Sequence, residues 1–163
     1  MNTKELIEKT STVKTTAIFS KSGSDRYLLR YEWDNTKKSA VIIMSMASSA
    51  TEMIYDQTCM LCHNGAVHND LGSISIVNLT SSIGNPQPKQ DKQNLSVIMN
   101  ECGKADIIIV AFGRGTNFQE EKEAMLKSLA AHSDKLYTLI DSKGLPYSHP
   151  LSPYCHEWIL RKI

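Results

Sequence analysis

Four short apolar runs recur along the chain with room for a helix between each pair. They are Ser39-Ala-Val-Ile-Ile-Met-Ser45, Ser73-Ile-Ser-Ile-Val-Asn-Leu79, Ala105-Asp-Ile-Ile-Ile-Val-Ala-Phe-Gly113 and Lys135-Leu-Tyr-Thr-Leu-Ile140. A strand that is apolar at nearly every position is covered on both faces, and strands alternating with helices build βαβ units. The intervening helices are predicted over about 52–69, with Gly65 weakening the last turns, over about 91–103, and over about 117–132, where Phe118, Met125, Leu126 and Leu129 fall at helical spacing. The segments Thr15–Ser20 and Arg26–Trp33 flank Lys21-Ser-Gly-Ser-Asp25 and read as an antiparallel hairpin. The predicted fold is therefore α/β, a three-layer sandwich with a mostly parallel central sheet of about four strands and an N-terminal β-hairpin at its edge. A Gly/Pro/Gln loop is expected up to residue 90, and a short tail from Tyr154.

A chain of 163 residues that is 41% apolar can bury a sizeable core without a metal or disulfide staple. It divides into a polar N-terminal arm or short helix over 1–14 and a single α/β domain over 15–163, since no linker, repeat or low-complexity tract interrupts it. With 18 Lys and Arg against 17 Asp and Glu, it lacks the basic excess of a nucleic-acid binder, so any nucleic-acid contact needs a local patch. No run of about 18 apolar residues and no apolar N-terminal segment is present, which predicts a soluble, cytoplasmic protein with no membrane partner. Its four cysteines then read as reduced thiols. Oligomeric state leaves no signature in the sequence.

Right-handed crossovers place the C-terminal ends of parallel strands on one rim, where open α/β sheets hold their ligands. The loops Met46–Thr58, Asn78–Ser82, Gly113–Thr116 and Ser142–Ser152 should converge there. Candidate ligand contacts are Arg30, Met46, Ser48, Ser49, Asp56, Thr58, Asn78, Phe112, Arg114, Tyr147, His149 and Ser152. His149, next to Pro150, can donate to a base carbonyl while titrating near neutrality. Asn78 offers the donor and acceptor needed to read a nucleobase edge. Phe112 and Tyr147 can stack on a planar ligand, and Arg30 or Arg114, the latter within Gly113-Arg114-Gly115-Thr116, can meet a phosphate. Each residue also has a structural role open to it: a backbone hydrogen bond for His149, an N-cap for Asp56, a turn for Asn78 and core packing for Phe112.

Cys59-Met60-Leu61-Cys62-His63 fits the pattern of covalent haem attachment, and the same dithiol could serve redox chemistry. On a helix the two thiols lie at i and i+3 beside apolar neighbours, so buried structural thiols are expected. No second closely spaced pair accompanies them for zinc, although Cys102, Cys155 and His156 exist. No metal and no cofactor is expected.

As an ordered set, Arg26-Tyr27 with Arg30 and Trp33, Ser48-x-Ala50, Asp56-x-Thr58 with Cys62, Asn78-Leu79, Gly113 and Gly144-x-Pro146-x-x-His149-Pro150-Leu151 resembles an uncharacterised bacterial and phage family, domain of unknown function 1643. The resemblance spans roughly residues 25–152. More remotely, the order of elements and the late His149-Pro150-Leu151-Ser152 loop are similar to the uracil-DNA glycosylase superfamily. That likeness implies an early loop with an Asp-Pro or Asn-Pro pair that orients water, and a late histidine that stabilises the departing base. This chain has Met46-Ala47 where the uncharacterised family has Asn-Pro before its Ser-x-Ala. Asp56-Gln57-Thr58 replaces Asp-Pro-Thr, and Phe112-Gly113 replaces Trp-Gly. Neither Met46 nor Ala47 can orient or deprotonate water.

The expectation is thus a nucleobase- or nucleotide-binding protein with a glycosylase-like pocket, non-catalytic, serving to sequester or sense a nucleotide ligand. The enzymatic alternative is an N-glycoside hydrolase with Asp56 as general base and His149 as leaving-group stabiliser. A structural interaction module is the third reading.

Overall fold

The computed structural model describes residues 4–84 and 91–163. The predicted loop up to residue 90 therefore lies partly outside the described residues, as do positions 1–3 of the N-terminal arm. Residues 4–13 form neither helix nor strand, so of the two forms expected for this segment the helix is absent there.

One sheet organises the chain. Strands β1 (Lys14–Phe19), β2 (Arg26–Glu32), β3 (Lys38–Met46), β4 (Leu71–Thr80), β5 (Ile107–Val110), β6 (Leu136–Ile140) and β7 (Ile159–Lys162) stand in the order β1-β2-β4-β3-β5-β6-β7. The four apolar runs are β4, β3, β5 and β6, and they are parallel to one another. The sheet nonetheless has seven strands and is mixed, which corrects the expectation of about four mostly parallel ones. β1 and β2 join it antiparallel beside β4, and β7 returns antiparallel on β6. β7 was hidden because Ile-Leu-Arg-Lys is an exposed edge strand held by backbone pairing, and such a strand needs no apolar signature.

Alternation along the strands sorts the core into two layers. Leu29, Tyr31, Ala40, Ile42, Ile74, Ile76, Ile109 and Leu139 pack with Cys59, Cys62 and Ala66 of helix α1 (Gln57–His68). Leu28, Val41, Ile43, Val77, Ile108, Val110 and Leu136 pack with Ile98 and Cys102 of α2 (Lys92–Lys104) and Met125 and Leu129 of α3 (Gln119–Leu129). Side chains that alternate across a strand fill both layers at once. Helix α1 begins at Gln57, five residues later than predicted from 52, because the Asp56 carboxylate accepts from the Cys59 amide and caps it there. Gly65 sits in the continuous helix α1 where a methyl group would run into the Trp158 indole, so this glycine serves close packing. No helix among the described residues is long and apolar enough to cross a membrane.

Because β3 leads into α1 on one face and β5 into α3 on the other, the chain reverses direction between these neighbouring strands. Their C-terminal ends therefore lie at a topological switch point, the position at which open α/β sheets hold their ligands.

Candidate functional site

The rim is organised by a buried arginine. Arg26 opens β2, which runs antiparallel to β4, so its Cα lies beside the end of β4 with its amide on the Ser81 carbonyl at 2.9 Å. The residue is only 2% exposed. Its guanidinium donates to the Ser48 carbonyl and hydroxyl, both at 3.2 Å, to the Ala50 carbonyl at 3.0 Å, and to Asn78 Oδ1 at 3.2 Å. One cation thereby ties the β3 loop to β4.

Asn78 completes this tie. Its Nδ2 donates to the Met46 carbonyl at 2.7 Å, and the residue is 2% exposed, so its amide is engaged within the protein and offers no open edge. Met46 itself is exposed, whereas Ala47 is buried with its amide on Thr80. Ser49 is exposed, and Thr58 is half-buried in the first turn of α1.

Asp56 is half-buried between these groups. Burial pushes its pKa up, but the Ser48 hydroxyl, the Cys59 amide and the nearby Arg26 charge outweigh that and hold the carboxyl below the ordinary carboxylate value. It is a stable anion and a weak base. Immediately before it, Tyr55 stacks on Tyr31 with centroids 4.7 Å apart and planes at 19°, which fixes the approach of the chain to the cap.

His149 stands on the opposite side, with its Cβ 3.4 Å from where a side chain on Gly113 would begin. The Leu151 amide donates to Nδ1 at 3.1 Å. An acceptor at Nδ1 places the proton of the neutral ring on Nε2, which becomes a hydrogen-bond donor. Burial lowers the pKa of His149, and the field of Asp56 partly restores it. Ser152 closes this turn, its amide on the His149 carbonyl at 2.8 Å and its hydroxyl accepting from Tyr154 at 3.3 Å.

Other expected contacts are engaged elsewhere. Arg114 meets the buried Asp141 carboxylate at 2.7 Å, a charge contact without hydrogen-bond alignment. The Lys143 and Leu145 amides also bind Asp141 and keep its pKa low. The first turn of α3 just beyond carries Glu120 and Glu121, and the turn at Gly113 and Gly115 is clamped from inside by the Lys122 ammonium. An incoming phosphate would meet carboxylates there. Arg30 lies mid-strand on the α2 face, bound to Ser75 and Glu101, away from the rim. Phe112 is buried, with Tyr147 half-buried and stacked on it at 6.4 Å.

The thiols are not poised for chemistry. All four are free and buried. Burial pushes Cys59 and Cys102 up to about 12, and Cys62 and Cys155 upward as well, so thiolate is scarce near neutrality. Among the described residues no group of three His, Cys, Asp or Glu is placed to hold a metal ion.

Thus Ser48, Asp56 and His149 come together at the strand rim, and Arg30 does not. Arg26, Asp141 and Lys122 were absent from the sequence-derived contacts. A buried charge looks like any surface charge in one dimension, and only the quoted Arg26-Tyr27 pair hinted at the first.

The model of a family described as protein of unknown function (DUF1643) matches residues 26–151. The chain belongs to this family. Within the DUF1643 span fall Arg26 at one end and Leu151, whose amide sets the His149 tautomer, at the other, so the rim contacts apart from those of Ser152 and Tyr154 lie inside it. The edge strands β1 and β7 lie outside. No curated protein and no solved structure matches the chain.

The lowered pKa of His149 has a sign that can be measured. The unfolded chain takes up its proton near pH 6.5 and the folded chain at a lower pH, so the stability from the neutral ring is complete above 6.5 and is lost as pH falls through the folded value. His63, also lowered by burial, acts in the same direction. Denaturant midpoints should fall as the pH is lowered below 6.5, and His149→Gln should flatten that slope. An unchanged slope would show that His149 is not held neutral.

Proposed function

We propose that the strand rim binds a nucleobase or nucleoside without hydrolysing it, with a role in sequestering or sensing such a ligand in the bacterial or phage cytoplasm. The observation that carries this reading is the Leu151 amide on His149 Nδ1, which turns Nε2 into a donor. Asp56, an anion whose field reaches the same ring, supplies an acceptor. A donor beside an acceptor complements the N–H and C=O edge of a lactam or imide base such as uracil or guanine. Tyr147 is the half-exposed aromatic of the pair named for stacking. With Arg114 facing Asp141 and Arg30 facing Glu101, the base edge rather than the phosphate is the recognised part.

The glycosylase likeness supports the hydrolase alternative only weakly. The Nε2 donor of His149 would suit a leaving-group stabiliser, but a general base works best with a pKa near the operating pH, whereas Asp56 is shifted downward. Single- or double-stranded DNA containing uracil, incubated with excess protein, should release no free base. Release that is abolished by Asp56→Asn would establish the hydrolase.

Binding is tested by calorimetric titration with uracil, uridine, uridine monophosphate and adenine. His149→Ala should weaken uracil binding by about 0.5–1.5 kcal/mol, or roughly 2- to 12-fold, with the fold unchanged. Absence of heat for every ligand, or equal affinity in the variant, would reject the reading.

A further inference from the structure

His149 stands midway along a loop that leaves the sheet and returns to it at the same place. Ile140, the last residue of β6, is the Cα partner of Ile159, the first of β7, so residues 141–158 are closed at their base by strand pairing. The two arms of this loop are held by different elements.

The first arm belongs to the sheet. The Tyr147 amide donates to the Thr138 hydroxyl at 2.7 Å and the Ser148 amide to the Leu139 carbonyl at 2.9 Å, so the residues just before His149 are fixed to β6. The second arm belongs to α1. Two successive turns, from the Ser152 amide to the His149 carbonyl at 2.8 Å and from the Cys155 amide to the Ser152 carbonyl at 2.9 Å, lead from the histidine to Cys155. Cys155 is buried in the same core layer as Cys62 of α1. Three residues further along each segment, the Trp158 indole covers Gly65, on the volume that a Cβ there would occupy. Asn69, at the end of α1, donates its Nδ2 to the Trp158 carbonyl at 3.4 Å, so the arm follows the helix in the same direction.

Helix α1 also carries the acceptor of the rim pair, since Asp56 is its N-cap. The second arm therefore joins the loop of the donor to the helix of the acceptor. Two-point recognition of a base edge depends on such a spacing to within about 0.5 Å.

We propose that Trp158 is a positioning residue: seated on Gly65, it locks the second arm against α1 and so sets the gap between the His149 donor and the Asp56 acceptor. This role rests on the base-edge reading of that pair. Glycine at 65 is the condition for the seat, because any side chain there takes the place of the ring. The family match ends at Leu151, so Trp158 sets the gap from outside the matched span.

The test compares Gly65→Ala, Trp158→Ala, the two combined and Trp158→Phe in the whole chain, by NMR titration of the His149 ring and calorimetry with uracil. Gly65→Ala expels the indole from its seat, and Trp158→Ala removes it. Each should move the His149 pKa up towards 6.5 as burial of the ring is lost, and weaken uracil by about 2- to 12-fold, the worth of one hydrogen bond. The two should not add, because the methyl group meets nothing once the indole is gone. Trp158→Phe keeps a ring on the glycine and should restore most of both readings. Gly72→Ala, at the end of β4 away from the rim, should cost stability and leave both readings unchanged. Substitutions at 65 and 158 that lower only the midpoint of unfolding, with the His149 titration unmoved, would reduce Trp158 to core packing and overturn the proposal. Full additivity of the two would do the same. If the parent chain takes up no uracil, the base-edge reading falls by itself, and the His149 titrations still decide whether Trp158 positions the ring.

Discussion

Arg26→Met should lower the thermal midpoint by roughly 6–20 °C, one of the two largest effects of a single substitution in this protein. Methionine fills much of the space but donates nothing. The Ser48 and Ala50 carbonyls and Asn78 Oδ1 would lose their donor at a residue only 2% exposed. A buried acceptor left without its donor costs about 1–3 kcal/mol, so losing several at once costs about 3–5 kcal/mol together, and each kcal/mol is about 2–4 °C in a domain of this size. The loss should also raise the pKa of Asp56, whose carboxyl the Arg26 charge helps to keep low. Arg26→Lys retains the charge but presents its donors from one atom, so it should recover only part of the loss. Thermal melts of the three proteins, with NMR titration of the Asp56 carboxyl, measure both effects. A methionine variant as stable as the parent would mean that the rim does not depend on this cation.

Gly72→Ala is the second. Gly72 lies at the start of β4, where its carbonyl accepts from both the Trp33 and Asp34 amides at 3.0 Å. A methyl group on it would overlap the Asp34 carbonyl oxygen and lie 2.9 Å from Lys37 Cβ. The obstacle is backbone held by two hydrogen bonds, so it cannot rotate away as a side chain would. Overpacking usually costs about 1–3 kcal/mol, and this site belongs at the upper end, or roughly 6–12 °C. Gly103→Ala is the control. It lies in α2 with open space where the methyl would go, and alanine there should raise the midpoint, since glycine in a helix interior costs up to about 1 kcal/mol. If both alanines shift the midpoint alike, the close approach at Gly72 is not a constraint.

The four strands of the parallel core were legible because each is an apolar run buried on both faces, and burial on both faces leaves a one-dimensional trace. The edges were less so. β1 and β2 showed as a hairpin through their turn, but β7 is four exposed residues whose place depends on backbone pairing with β6. The rim followed from parallel strands alone, so Ser48, Asp56 and His149 could be placed near one another beforehand. Arg30 could not be excluded in that way. Only the antiparallel register against Ser75 shows how far along β4 it lies.

By itself the sequence determined the α/β class, the positions of the parallel strands and membership of its family, because periodicity and ordered motifs are local properties, whereas the Asp56 cap was one of two roles left open and the structure decided it. Tertiary structure alone decided which charges are spent. Arg26 and Asn78 face inward to each other, Arg114 faces Asp141, and Asn94 keeps one acceptor without a donor. A charged or amide side chain is the same string of letters whether water or protein surrounds it. The difference arises only when residues far apart in the chain, such as Arg26 and Asn78, are brought within hydrogen-bonding distance and water is excluded from between them.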